Sequence, residues 1–148
     1  MREFFYGAWD WILRAIAALG GMVAGALGGW DAALQVLVVM MAIDYATGLC
    51  VAAMGRSAKT QGGGLDSNVG LHGLLRKGLM LLVVLCGAML DRVIGAGAIC
   101  RDACCWFYIA NEGLSILENT ALAGVPYPEA VKRALEQTRD RGEEETGA

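Results

Sequence analysis

Three carboxylates stand inside apolar text in this chain: Asp44, Glu112 and Glu118. A carboxylate in such surroundings has two chemical uses. It carries protons or ions, or it lines a wet or hydrogen-bonded seam. Glu112 and Glu118 have polar neighbours. At 100° per residue Asn111, Glu112, Ser115, Glu118 and Asn119 fall within about a third of a helical wheel. That leaves one polar stripe on an otherwise apolar helix. The stripe faces either water in an assembled pore or a partner helix in a buried seam, and both arrangements satisfy it. One protomer of four helices has no room for a large channel, so the pore arrangement requires a homo-oligomer.

The elements that position these groups follow from composition. The chain has 148 residues, 56% of them hydrophobic and 18% charged, with 21 glycines. Mean hydropathy is +0.47. This is richer in apolar residues and poorer in charge than an ordinary soluble domain. It points to an all-α polytopic integral membrane protein, whose partner is the lipid bilayer. A net charge of −3 gives no basic surface for nucleic acid.

Four apolar segments occupy residues 11–29, 32–54, 75–95 and 103–123. Each is near the ~20 residues that cross a ~30 Å hydrocarbon core. In lipid every backbone group must be paired within the segment, so these are expected to be helices. A three-span arrangement, with the first or fourth segment lying on the surface, is the alternative. Residues 1–125 are thus expected to form the transmembrane domain, and residues 126–148 a cytoplasmic amphipathic helix with an acidic tail. That short helix opens at Pro128, after the break at Gly124-Val125-Pro126.

The first segment is read as a retained helix. Ala24-Gly25-Ala26 fits a cleavage rule, but Arg2 and Glu3 leave the preceding region mixed in charge. Lys and Arg mark the cytoplasmic side. Arg56 and Lys59 lie between the second and third segments with Arg76 and Lys77 at the start of the third, and Lys132, Arg133, Arg139 and Arg141 follow the fourth. Asp91, Arg92, Arg101 and Asp102 cancel in the last hairpin. Both termini and the middle loop are therefore expected inside.

Energetics single out the fourth segment. Two acids at helix centres cost about 5–7 kcal/mol together, and its six strongest apolar residues offset only about 2–4 kcal/mol. Alone it would not stay in lipid as a charged rod. Asp44 in the second segment comes near to balance. In the first segment Ala17, Gly21, Gly25 and Gly29 recur every four residues, a spacing that lets helix backbones approach closely. The approach is either between copies or within one protomer.

The catalytic and binding motifs expected of an enzyme are missing. Gly55 to Gly64 lacks the order of a phosphate loop. No G-x-S-x-G or H-E-x-x-H occurs, and His72 is the single histidine. The five cysteines lack ligand spacing and read as small apolar packing residues. No enzyme, cofactor or metal site is expected. A small ion- or proton-coupled transporter using Asp44 or Glu112 remains a second reading.

Asp44-Tyr45-Ala46-Thr47-Gly48 closes the second segment. Gly73-Leu74-Leu75-Arg76-Lys77 opens the third. The fourth runs Phe107-Tyr108-Ile109-Ala110-Asn111-Glu112-Gly113-Leu114-Ser115-Ile116-Leu117-Glu118-Asn119, then Gly124-Val125-Pro126-Tyr127-Pro128. This order resembles the phage-lysis and toxin-secretion holin family, over about residues 36 to 135. That family shows a D-Y-x-T-G turn, a serine and glycine loop running into G-[LF]-x-[KR]-K, and a [FY]-[YI]-x-x-[EN]-x-x-S-[IL]-[LI]-E-N block before G-[VIL]-P-x-P. The matching positions are Asp44, Tyr45, Thr47, Gly48, Gly70, Lys77, Glu112, Ser115, Glu118, Asn119, Pro126 and Pro128. Gly48 is among them a helix-packing candidate. Asp66-Ser67 departs from the Ser-Ser pair common in relatives, and the glycine-rich first segment is less typical. The resemblance implies a bacterial inner-membrane protein that oligomerises and then opens, releasing an endolysin or a toxin.

Overall fold

The computed structural model describes residues 2–60, 62–131 and 133. Four helices follow in order: α1 (Arg2–Ala26), α2 (Ala32–Ala53), α3 (Ser67–Ile94) and α4 (Ile99–Ala123). The described residues hold no strand. α2 and α3 are long and apolar enough to cross a membrane. The more polar α4 falls below that composition, as its carboxylates dictate.

Local chemistry sets the helix ends. Asp31 Oδ1 accepts from Leu34 N at 3.0 Å and caps α2. Asp66 accepts from Asn68 N at 2.7 Å and Val69 N at 3.2 Å, so α3 starts well before the apolar segment that begins at Leu75. Each cap satisfies amide groups that a first helical turn leaves unpaired. α4 has no side-chain cap of its own. Asp91, from the end of α3, accepts from Cys100 N and Arg101 N, both at 2.9 Å. α3 and α4 end on Gly95 and Gly124, both left-handed.

α4 is the central element. It packs along both α2 and α3, which touch each other far less. Asp31 meets Arg101 near the starts of α2 and α4, and Gly48 meets Asn119 near their ends. These two helices therefore run parallel. α3 runs against them, with Gly87 beside the Arg101 backbone and Lys77 beside Glu112. A Cβ on Gly87 would lie 3.0 Å from Arg101 Cα, so glycine sets the spacing between α3 and α4. The core gathers Leu27, Leu34, Leu37, Met41, Met80, Val84 and Cys105. Facing outward are exposed apolar side chains such as Val39, Leu79, Leu82, Leu90, Trp106 and Phe107. So extensive an apolar exterior is rare on a soluble monomer.

α1 is attached only at its end. Leu27 enters the core, and Arg92 Nη2 donates to Gly25 O at 3.1 Å. Further up, Trp9, Trp11, Ile12, Ile16, Leu19 and Met22 are exposed. A Cβ on Gly20, Gly21, Gly25 or Gly29 would meet nothing within 4 Å, and Ala17 is exposed. Within the protomer the stripe meets only Arg92, at Gly25 O, and Arg101, at Gly29 O, and among the described residues no helix packs along it. The link to α2 passes through Gly28 and Gly29, both at positive φ, and does not lay α1 along the bundle. Beyond Pro128, residues 129–131 are helical. Arg133 is helical too, and the other residues of the expected cytoplasmic helix and the run Glu143-Glu144-Glu145 lie outside the described residues.

Candidate functional site

Helix geometry divides the polar stripe of α4 into two edges. Glu112 and Asn119 lie seven residues apart, two turns, and so nearly superpose on the wheel. Both are buried. Ser115 is half-buried between them. Asn111 and Glu118 turn about 100–120° away and are half-buried. The stripe is thus partly interior and partly peripheral.

At the inner edge three helices bring charges together. The Lys77 ammonium, from α3, donates to Asp44 Oδ2 on α2 at 2.8 Å. It also donates to Glu112 Oε2 on α4. Asn119 Nδ2 donates to Asp44 Oδ1 at 3.0 Å and to Thr47 Oγ1 at 3.2 Å. All three ionic side chains are largely withdrawn from solvent, Glu112 the most, at 3% exposure. No buried side-chain nitrogen or oxygen among the described residues lacks a hydrogen bond. Charges are affordable at such depth only when paired and hydrogen-bonded.

A cavity of about 110 Å³ opens beside this cluster. Asp44, Lys77, Asn111, Glu112 and Ser115 line it from the helices, and Ser57, Lys59 and Thr60 line it from the α2–α3 loop, where Lys59 is exposed. That loop is closed tightly. Gly63, at φ +69, comes so near Gly55 that a Cβ there would sit 2.3 Å from Gly55 O. Arg56 Nη1 donates to Ala123 O at 3.2 Å, which ties the loop to the end of α4.

Of the residues picked out in the sequence, Asp44, Glu112 and Asn119 converge, and Asn111 and Ser115 border the same cavity. Gly48 lies against Asn119, where a Cβ would be 3.6 Å from Nδ2. Glu118 joins no ion pair among the described residues. Ala17, Gly21 and Gly25 belong to α1 and Gly29 to the turn after it, and all four lie away from the site.

Two groups counted as loop charges are in fact interior. Lys77 stands ten residues into α3, because Asp66 starts that helix early. Arg101, treated as cancelled in the last hairpin, is 2% exposed. It uses its full set of donors. Nε reaches Leu27 O at 2.7 Å. Nη1 reaches Asp31 Oδ2 at 2.6 Å and Asp102 Oδ1 at 2.8 Å. Nη2 reaches Asp31 Oδ1 at 2.9 Å and Gly29 O at 3.2 Å. This fork on a carboxylate is the bidentate geometry that suits arginine. The guanidinium draws the Asp31 carboxyl from its ordinary 3.8 down to about 2. The sequence signal was present in Asp31, Arg101 and Asp102, but loop-by-loop charge counting hid it.

The site has paired charges and no metal cluster: among the described residues no three His, Cys, Asp or Glu side chains group to hold an ion. Its arrangement suits helix association and a wet polar recess.

Comparison with known proteins gives the affiliation. A model of the bacteriophage holin family matches residues 21–140. The chain is 40% identical over 133 residues to an uncharacterized 14.9 kDa protein of Clostridium perfringens, covering 89% of this chain and 96% of that one. It is 33% identical over 127 residues to an uncharacterized protein of Clostridium acetobutylicum, covering 85% and 96%. It is 32% identical over 113 residues to a protein of Bacillus phage phi105 named "Probable holin", covering 76% and 78%. No solved structure matches.

Proposed function

Because this chain belongs to the bacteriophage holin family, we propose that it assembles as a homo-oligomer in the bacterial cytoplasmic membrane and opens a timed pore. The pore releases an endolysin, or a toxin, from the cytoplasm. The endolysin is a functional partner and no binding to it is implied. In this reading all four helices span, with both termini cytoplasmic, and Asp44, Glu112 and the α4 stripe form the element that changes surroundings.

The observation that carries the proposal is the placement of Glu112. Its carboxylate is buried against Lys77, so the inner edge of the stripe is closed off inside the protomer. A protomer in this form can accumulate without presenting that edge to lipid. Opening exchanges these internal pairs for water in a lumen between copies. Glu118, half-buried with no ion pair among the described residues, is the outer edge that meets either a neighbour or the lumen. Collapse of the membrane potential is a physical trigger, since moving one charge across 100 mV is worth about 2.3 kcal/mol.

The test is expression of the chain in a bacterium with a cytosolic endolysin. Delayed, abrupt lysis that an uncoupler brings forward is the expected result. Steady growth with the protein in the membrane and the enzyme retained would overturn the reading.

The second reading is a small ion- or proton-coupled transporter. The cavity that reaches both Asp44 and Glu112 favours it. Under that reading Asp44→Asn abolishes transport in vesicles, and the wild-type chain does not lyse cells.

A further inference from the structure

The charges around the cavity do not cancel locally. In its depth two carboxylates, Asp44 and Glu112, share one ammonium, Lys77. That leaves an excess of one negative charge. Towards the rim Lys59 and Arg76 also line the cavity. Both are exposed, and among the described residues neither side chain forms a hydrogen bond or an ion pair. Asp66, the remaining acid in the lining, is engaged as the cap of α3. The cavity is thus negative at its inner end and positive at its edge.

It does not end there. Arg76 and Asn111 also border a second recess of about 280 Å³, between α3 and α4. Leu79, Met80, Val83, Phe107 and Tyr108 supply its walls. From Arg76 to Val83 this groove follows α3 away from the α2–α3 loop for about two turns. The polar recess and an apolar groove on the outer surface of the bundle therefore adjoin at Arg76 and Asn111, which border both.

We propose that this combined recess binds a phospholipid with an amine-bearing, zwitterionic headgroup. Its ammonium sits by Asp44 and Glu112, its phosphate by Lys59 and Arg76, and the start of an acyl chain lies along Leu79, Val83 and Phe107. Charge complementarity selects both ends of the headgroup. Neither a simple anionic headgroup nor free phosphate supplies a cation to offset the one excess negative charge at the inner end. The polar recess lies on the side of the α2–α3 loop, which the positive residues place in the cytoplasmic leaflet. The groove runs from there towards the middle of the bilayer, the direction an acyl chain takes. The inference rests on the placement of α2, α3 and α4 in a membrane and not on pore opening, so failure of the lysis test leaves it standing.

The experiment uses the full-length chain, purified in a mild detergent. Native mass spectrometry counts lipid adducts after addition of phosphatidylethanolamine or phosphatidylglycerol with the same acyl chains. Expected is a severalfold preference for phosphatidylethanolamine. Lys59→Ala with Arg76→Ala, both on exposed side chains, removes that adduct while the melting temperature stays as in the wild type. Asp44→Asn, where it folds, binds the two lipids equally. Equal binding of the two lipids by the wild-type chain would overturn the proposal, as would adducts that survive loss of both cations. Stabilisation by inorganic phosphate to the same extent as by the lipid would show a bare anion site and overturn it too.

Discussion

The Lys77 ammonium bridges Asp44 of α2 and Glu112 of α4, two helices that run parallel and are joined at this level from a third. Its role is asymmetric. Removing either carboxylate leaves a neutral pair, whereas removing the lysine leaves two acids with no cation. Lys77→Met is therefore expected to destabilise the bundle by about 3–5 kcal/mol, as breaking a buried pair does. Melting of the detergent-solubilised protein measures this. The triple variant Lys77→Met, Asp44→Asn, Glu112→Gln should recover most of the loss. A single variant that melts like wild type would show that the bridge contributes nothing.

Glu118 stands apart from that bridge, half-buried and outside the ion pairs. Glu118→Leu should insert, accumulate and melt normally, because no ion pair or side-chain hydrogen bond among the described residues is lost. Under the pore reading it should fail to permeabilise the membrane. The readout is lysis onset beside a blot of membrane-bound protein. Normal lysis by this variant would remove Glu118 from the mechanism.

Gly28 has φ +94, and a Cβ there would come within 2.9 Å of Arg101 Cδ and Nε. Gly28→Ala therefore meets both backbone strain and a side chain that is held by five hydrogen bonds. A loss of about 1–3 kcal/mol is expected. Gly29→Ala is the matched control. Its φ is +116 but a Cβ there meets nothing within 4 Å, so the difference between the two melts isolates the clash with Arg101.

The Asp31–Arg101 pair makes a prediction about acid. Asp31 has its carboxyl lowered from 3.8 to about 2 in the folded chain. The folded state thus holds this proton less readily than the unfolded one, and its contribution to stability is complete above about pH 4. As pH falls through about 2 the contribution disappears. The wild-type melting temperature should fall more steeply between about pH 4 and pH 2 than that of Asp31→Asn, which keeps a capping side chain on α2. Parallel curves would show that the pair does not govern acid stability.

Much of the fold was legible in the sequence because lipid leaves the backbone few choices. α2 coincides closely with its apolar segment, since Asp31 caps one end and Gly55 follows the other. α3 was harder to place. Its first two turns carry Ser67, Asn68, Gly70, His72 and Gly73, so hydropathy alone begins the segment at Leu75, whereas Asp66 nucleates the helix. Glu112 and Asn119 were visible as one face through their seven-residue spacing. What they face was not visible, because Lys77 lies far away in sequence and helical periodicity describes one element at a time. The Arg101 clasp was hidden for a related reason. Counting charges by loop pairs each residue with its neighbours in sequence, whereas Arg101 is satisfied chiefly by Leu27, Gly29 and Asp31. The small-residue stripe of α1 was legible as a pattern, but a pattern does not say whether its partner is the same molecule or another.

The attachment of α1 has a mechanical consequence. Anchored through Leu27 and the turn beside it, with Trp9, Trp11, Ile16 and Leu19 exposed, it is a cantilever. A force applied near Trp9 reaches the other helices as torque about Gly28 and Gly29, and the first bonds to bear it are those of Arg101 and Arg92. Sideways displacement of α1 in the plane of the bilayer is therefore not resisted by packing along its length. It is resisted at one joint, next to the end of the bundle farthest from Lys77.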